Sequence, residues 1–136
     1  IWMAILKSET LPLRSDQDVV KARQVVRTWT IELKFSLVDQ TKFVTAASEL
    51  ARNTVDYGGG GEVRLESLHE RGRNGLRLTF TDQGPGIPDL ALALKDGYTS
   101  GSGMGLGLSG AKRLSNEFDI DSKVGEGTRV TITRWK

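Results

Sequence analysis

Glycine is the residue that most constrains this chain, because most of its sixteen copies are concentrated in four short stretches. These stretches are 58–61, 84–86, 97–110 and 125–127. Glycine adopts backbone conformations that other residues avoid, and it lets the chain approach another group closely. Four such stretches predict loops that turn sharply or lie against a bound molecule, with regular elements between them.

Length and composition are those of one ordinary globular domain. The chain has 136 residues, of which 38% are hydrophobic and 26% are charged, so we interpret 1–136 as a single domain. Cysteine is absent, which excludes a disulfide, a thiolate nucleophile and a cysteine metal site. No apolar run approaches the roughly 20 residues of a membrane helix, so we expect no membrane partner.

The charge is spread evenly along the chain. Nineteen basic and 17 acidic residues leave an excess of two, and no Lys/Arg cluster accompanies it. Because proteins that bind nucleic acid through net charge carry a basic face, we expect no nucleic-acid partner. The single histidine, His69, has no Cys or second His beside it, so we interpret it as a surface residue and not as a metal ligand.

Hydrophobic periodicity predicts alternating groups of strands and helices. In chain order the prediction is a strand at 3–13, helices at 16–33 and 40–56, strands at 62–68 and 75–81, helices at 89–95 and 106–116, and strands at 120–124 and 128–132. Hairpins mixed with helices in this order favour an α+β two-layer sandwich over a doubly wound α/β fold.

Two polar residues lie on one face of the second long predicted helix. Glu49 and Asn53 are four positions apart, which places one side chain above the other. On many amphipathic helices such a pair belongs only to the solvated stripe. The alternative is a carboxylate that polarises a nucleophile beside an amide oxygen that binds Mg²⁺, since this ion prefers hard oxygen ligands.

Two glycine-rich loops carry further candidate residues. In Asp82-Gln-Gly84-Pro-Gly86 the carboxylate follows an apolar strand, where it could accept a hydrogen bond from a ligand amine while the glycines admit a flat ring. An ordinary Asp-Gly turn is the alternative. The stretch Gly103-Met-Gly105-Leu-Gly107 precedes a predicted helix, whose first N–H groups can bind an anion. It is neither a Walker A loop nor a dinucleotide fingerprint.

Together, in this order and at this spacing, these segments resemble the GHKL ATPase superfamily, whose members share the Bergerat nucleotide-binding fold. The resemblance is carried by an N box at Glu49–Asn53, a G1 box at Asp82–Gly86, a G2 box at Gly103–Gly107, and the closing Gly125-Glu-Gly127-Thr128 element. Within the superfamily the chain resembles the small serine/threonine kinases of bacterial partner-switching pathways, and most specifically the switch kinases of the stressosome. That narrower resemblance is carried by Ser48–Asn53, Asp96–Thr99 and Gly105–Gly110.

The resemblance implies ATP and Mg²⁺ as cofactors and a mixed sheet with helices on one face. It also implies residue roles: Glu49 as the general base, Asn53 as the Mg²⁺ ligand, and Asp82 as the carboxylate that reads adenine. The remaining roles concern the base and the phosphates. Gly84 and Gly86 would lie beside the ring with Thr128 supporting it, and Gly103, Gly105 and Gly107 would contact phosphates at the hinge of a lid that spans about 87–104.

The implied function is that of a cytoplasmic kinase that phosphorylates STAS-domain proteins. By the same resemblance, a scaffold of such proteins would hold the kinase, and after release it would bind and activate a protein phosphatase. Two alternatives stay open: an anti-sigma-factor kinase, and a module that has lost phosphoryl transfer and acts by binding alone. The presence of Glu49 argues against the second.

One departure from the superfamily pattern concerns the terminal phosphate. Lids of related kinases often offer it a basic side chain, and between Asp82 and Met104 the sequence has only Lys95. The charge would come from Lys95, from one of Arg52, Lys112 and Arg113, or from a partner protein. We therefore expect slow ATP turnover by the chain alone.

Overall fold

The helices and strands of the computed structural model lie within residues 3–95 and 107–136, which are the residues it describes. In chain order they are β1 (Ala4–Leu13), α1 (Asp16–Glu32), α2 (Leu37–Asp56), β2 (Gly61–Glu70), β3 (Arg73–Asp82), α3 (Leu90–Ala93), α4 (Leu108–Arg113), β4 (Glu117–Lys123) and β5 (Gly127–Trp135). This is the order that the hydrophobic pattern predicts.

Five strands form one sheet in the order β1-β2-β3-β5-β4. The predicted α+β sandwich with helices on one face is confirmed. The expectation of a mixed sheet is wrong, because every strand pair within 3–95 and 107–136 is antiparallel. The connections explain this pairing. The two-helix connection α1–α2 returns the chain to the end where β1 stops, and tight turns join β2 to β3 and β4 to β5.

The core lies between the inner face of the sheet and the helix pair. In β2, the inward Val63 and Leu65 are buried while the outward Glu62 and Arg64 are exposed, which is the alternation of a half-covered strand. Buried residues recur on each helix at the spacing of one face; they are Val19, Ala22, Val26, Trp29 and Thr30 on α1, and Phe43, Val44, Ala46, Ala47, Leu50, Ala51 and Thr54 on α2. No helix in the described ranges is long and apolar enough to cross a membrane.

Local hydrogen bonds move several element ends away from their predicted positions. α2 begins three residues before the predicted Gln40, because the Ser36 hydroxyl accepts the Asp39 N–H at 3.1 Å and caps the helix. The β2–β3 hairpin is longer than predicted, because Arg71 and Gly72 form a two-residue turn with positive φ at both positions.

The predicted helix 106–116 is shorter in the structure because its end is held against the sheet. α4 stops at Arg113, and the backbone N–H of Asn116 already bonds to the Thr133 carbonyl of β5 at 2.9 Å. Arg134 of β5 donates to the Leu114 carbonyl at 2.9 Å and pairs with Asp39 at 2.8 Å. These bonds tie the end of α4 to the start of α2.

The antiparallel order decides which element ends meet. β3 ends at Asp82, whose register partner on β5 is Thr128 and on β2 is Gly61. β2 begins shortly after α2 ends at Asp56, and α4 begins on the same side, against α2. One end of the sandwich therefore collects the candidate residues of α2, β3 and β5.

We expect Leu78→Ala to lower the free energy of unfolding by about 2–5 kcal/mol, because the side chain is fully buried in the central strand and leaves a cavity. Urea unfolding measures the change. The matched control is Leu37→Ala, at a position that is 73% exposed, where we expect a change within about 0.5 kcal/mol. Equal effects of the two substitutions would contradict this placement of the core.

Candidate functional site

A small cavity lies between the C-terminal half of α2 and the inner face of the sheet. It is lined by Leu50, Asn53, Thr54, Tyr57, Phe80, Asp82, Ile87, Leu108, Thr128 and Val130. Three residues singled out in the sequence, Asn53, Asp82 and Thr128, thus line the same cavity, with Asn53 on the helix side and Asp82 and Thr128 on the sheet side. The free volume of about 20 Å³ is room for about one water molecule, so a purine ring fits only if the walls move apart.

The Asp82 carboxylate is held by backbone groups at the end of β3. Its Oδ1 accepts the Gly84 N–H at 2.9 Å, and the Thr128 N–H also bonds to the carboxylate. Burial raises the pKa of Asp82 above its usual 3.8, and these two N–H bonds oppose the shift without cancelling it. The carboxylate is therefore fixed in the cavity wall, where it can accept a hydrogen bond from a ligand amine.

The loop after Asp82 is packed tightly against neighbouring backbone. Gly86 has a φ of +74°, and a Cβ there would overlap the Lys123 carbonyl. A Cβ on Gly84 would lie 2.6 Å from the Gly58 carbonyl oxygen. Both glycines are thus required by contacts within the protein. Their predicted place beside a ligand ring stays a prediction.

Tyr57 is a functional candidate that sequence reasoning missed. Its ring lines the cavity and its hydroxyl donates to the Gly86 carbonyl at 2.9 Å. The available signal was its spacing, one helical turn after Asn53. Tyr57 therefore joins α2 to the loop that follows Asp82.

Glu49 lies at the rim of the cavity and not in its lining. The side chain is exposed and lies beside Gly107, the residue that precedes α4. Gly107 has a left-handed φ of +61°, and a Cβ there would lie 2.6 Å from Glu49 Oε2. The carboxylate thus occupies the space that a side chain at position 107 would need.

Comparison with known proteins shows the family of the chain. Residues 38–136 match the family described as histidine kinase-, DNA gyrase B- and HSP90-like ATPases. The chain belongs to this ATPase family. The serine/threonine-protein kinase RsbT of Bacillus subtilis is 44% identical over 123 residues, which cover 90% of this chain and 92% of that kinase. An anti-sigma F factor of Clostridium beijerinckii is 27% identical over 120 residues, covering 83% of this chain and 82% of that factor.

Two solved structures share the fold of this ATPase. The RsbU and RsbW domains of a Mycobacterium tuberculosis protein give a TM-score of 0.64 at 22% identity, covering 94% of this chain and 31% of that one. The SiaB–SiaC complex of Pseudomonas aeruginosa gives 0.52 at 14% identity, covering 97% and 91%. With the relatives above, they confirm the GHKL resemblance, and RsbT confirms the predicted enzyme class, a serine/threonine-protein kinase.

The G2 box of this ATPase lies mostly outside the described residues. Gly103 and Gly105 fall in 96–106, as do Asp96–Thr99 and half of the predicted lid, so their roles stay predictions. Among the candidate basic side chains, Arg52 lies on the surface of α2, 3.4 Å from Asp16 and 3.9 Å from Asp56. The other candidates are the exposed residues Lys95, Lys112 and Arg113.

We expect Asp82→Asn to become more stable relative to the unaltered ATPase as the pH rises from about 3 to about 6. Because its pKa is raised on folding, the Asp82 carboxyl stabilises the fold below pH 3.8 and loses that contribution as the pH rises through the raised pKa. Asn does not titrate in this range. Urea unfolding across this pH series measures the difference, and a constant difference would contradict the raised pKa.

Proposed function

We propose that this kinase-family chain transfers the terminal phosphate of ATP to a serine or threonine of STAS-domain proteins. The observation that carries the proposal is that Asn53 and Asp82 line one cavity from opposite sides, with Glu49 on the same helix as Asn53, at the rim. In this arrangement Asp82 would bind the adenine ring, Asn53 would hold the Mg²⁺-bound phosphates, and Glu49 would activate the attacking hydroxyl.

The buried end of the cavity suits adenine. Asp82 is fixed by backbone N–H groups and would accept the 6-amino group, with Thr128 beside it and Gly84 and Gly86 forming the adjoining loop. A hydrogen-bonded carboxylate distinguishes adenine from a purine that presents a carbonyl there, because the mismatch leaves a buried acceptor unpaired.

The opposite end of the cavity suits a phosphate-bound Mg²⁺. Among the described residues, no group of three or more His, Cys, Asp or Glu could hold a metal alone. The half-buried amide of Asn53 fits an ion that takes few protein ligands and is completed by phosphates and water. When bound, Mg²⁺ neutralises charge on the phosphates. Gly103, Gly105 and Gly107 are proposed to contact those phosphates.

Glu49 is proposed as the general base. Its carboxylate would accept the proton of the attacking Ser or Thr hydroxyl as the new oxygen–phosphorus bond forms and the bond to the β-phosphate oxygen breaks, releasing ADP. Because Glu49 is exposed, a side chain on another protein can reach it without unfolding the site.

The resemblance to stressosome switch kinases supports the partners in this proposal. They are STAS-domain proteins as substrates and scaffold, and a protein phosphatase that the released kinase binds and activates. The second candidate is an anti-sigma-factor kinase, which the 27% identity to an anti-sigma F factor favours. The 44% identity to RsbT favours the first. Recovery of a sigma factor in a pull-down would favour the anti-sigma-factor kinase over the kinase of STAS-domain proteins.

We expect a STAS-domain partner to gain one phosphate when incubated with this chain and Mg-ATP, and to gain none with Glu49→Gln. Intact mass spectrometry measures the transfer. Glu9→Gln, on an exposed position of β1, is the matched control and should transfer normally. Transfer by Glu49→Gln would reject the base assignment. If the unaltered chain forms a complex with the partner but transfers no phosphate, the binding-only module is favoured. Fast ATP turnover by the chain without a partner would contradict the expected slow turnover.

We expect Gly107→Ala to slow phosphoryl transfer by about tenfold or more, because the added methyl group displaces the Glu49 carboxylate. Gly125→Ala is the matched control, since Gly125 also has a positive φ but has open space around it. Both substitutions should cost about 1 kcal/mol of stability from backbone strain. Transfer rates and thermal melts compare them, and equal transfer rates would show that Gly107 does not protect the position of Glu49.

A further inference from the structure

Ser122 is a polar residue on the inner face of β4, on the same side as the apolar Phe118 and Ile120. Its hydroxyl contacts three groups around the cavity. It accepts the Ile87 backbone N–H at 2.8 Å, lies 2.8 Å from Thr128 Oγ1, and lies 3.3 Å from the Gly127 carbonyl.

The proton of Ser122 can serve only one of these contacts at a time. A serine hydroxyl has one proton and two lone pairs, and the Ile87 N–H occupies one lone pair. If Ser122 donates to Thr128, the Thr128 proton points elsewhere. If Thr128 donates to Ser122, the serine proton goes to the Gly127 carbonyl. In both arrangements Ser122 restricts the directions open to the Thr128 hydroxyl.

These bonds continue into the wall of the cavity. Thr128 and Ile87 both line it, and the backbone N–H of Thr128 bonds to the Asp82 carboxylate. One chain of hydrogen bonds therefore runs from Ile87 through Ser122 and Thr128 to Asp82. It connects β4, β5, the end of β3 and the first residues of the segment that leads to the G2 box.

We propose that Ser122 is a positioning residue for adenine recognition: it holds the Thr128 hydroxyl and the Ile87 backbone so that Asp82 and Thr128 together read the amino edge of the base. The inference rests on the proposed nucleotide site and adds a residue that does not itself touch the ligand. An adenine edge presents an amine donor beside a ring-nitrogen acceptor, and two fixed neighbouring groups are needed to match both.

The test uses the full chain and measures the affinities for ADP and for inosine diphosphate, which carries a carbonyl in place of the amine. With Ser122→Ala we expect ADP binding to weaken about fivefold to tenfold and binding of inosine diphosphate to change less than about twofold. The preference for adenine therefore falls. If Ser122 had a purely structural role, its substitution would lower the affinities for both ligands equally.

A volume-matched pair guards against a folding defect. Ser122→Thr keeps the hydroxyl and should retain the adenine preference, whereas Ser122→Val has nearly the same shape without the hydroxyl and should lose it. Among the described residues, the Ser115 hydroxyl bonds only to the Ala111 carbonyl of α4, at 2.8 Å, so Ser115→Ala should leave both affinities unchanged. Thermal melts without ligand confirm that the variants are folded.

The outcomes distinguish the role of Ser122 from the existence of the nucleotide site on which that role depends. Failure of the unaltered chain to bind ADP would reject the nucleotide site itself. Normal ADP binding with an unchanged adenine preference in Ser122→Ala and Ser122→Val would overturn the role of Ser122 and leave the site standing. Equal loss of affinity for ADP and for inosine diphosphate would also overturn the role of Ser122.

Discussion

The packing of α2 against the central strand β3 is the contact on which the rest of the structure depends. Phe43 and Leu50 of the helix and Leu78 of the strand are buried in one hydrophobic cluster. Burial of such side chains is the main favourable term in folding. The same contact sets the rotation of α2, and rotation decides that Asn53 faces the cavity while Glu49, on the same helix, reaches only its rim.

Much of the fold could be predicted because it follows from local patterns. The helical spacing of Val19, Ala22, Val26 and Trp29 predicts the buried face of α1, alternation predicts the β2–β3 hairpin, and the glycine turn at 125–127 predicts the β4–β5 hairpin. The sequence places Asp82 after an apolar strand and before glycines, and the structure shows it there, lining the cavity; its role toward adenine stays a prediction. These patterns involve residues that lie close together in the sequence, and the same residues build the core.

The parts that could not be predicted depend on contacts between distant segments. Ser122 has no local motif, and its bonds to Ile87 and Thr128 exist only after β4 and β5 pair. The end of α4 depends on Arg134, which lies twenty residues beyond Leu114. The antiparallel pairing of β1 with β2 and of β3 with β5 depends on where the helical connections return the chain. Composition and periodicity carry no information on any of these.

The narrow cavity has a consequence for regulation. A site with room for about one water must be opened before a nucleotide enters, and the free energy of opening is subtracted from the binding free energy. Any protein that docks beside the cavity and holds its walls apart removes that penalty. Such a partner would raise the affinity for the nucleotide without touching it. By the same thermodynamic cycle, the nucleotide would raise the affinity for the partner.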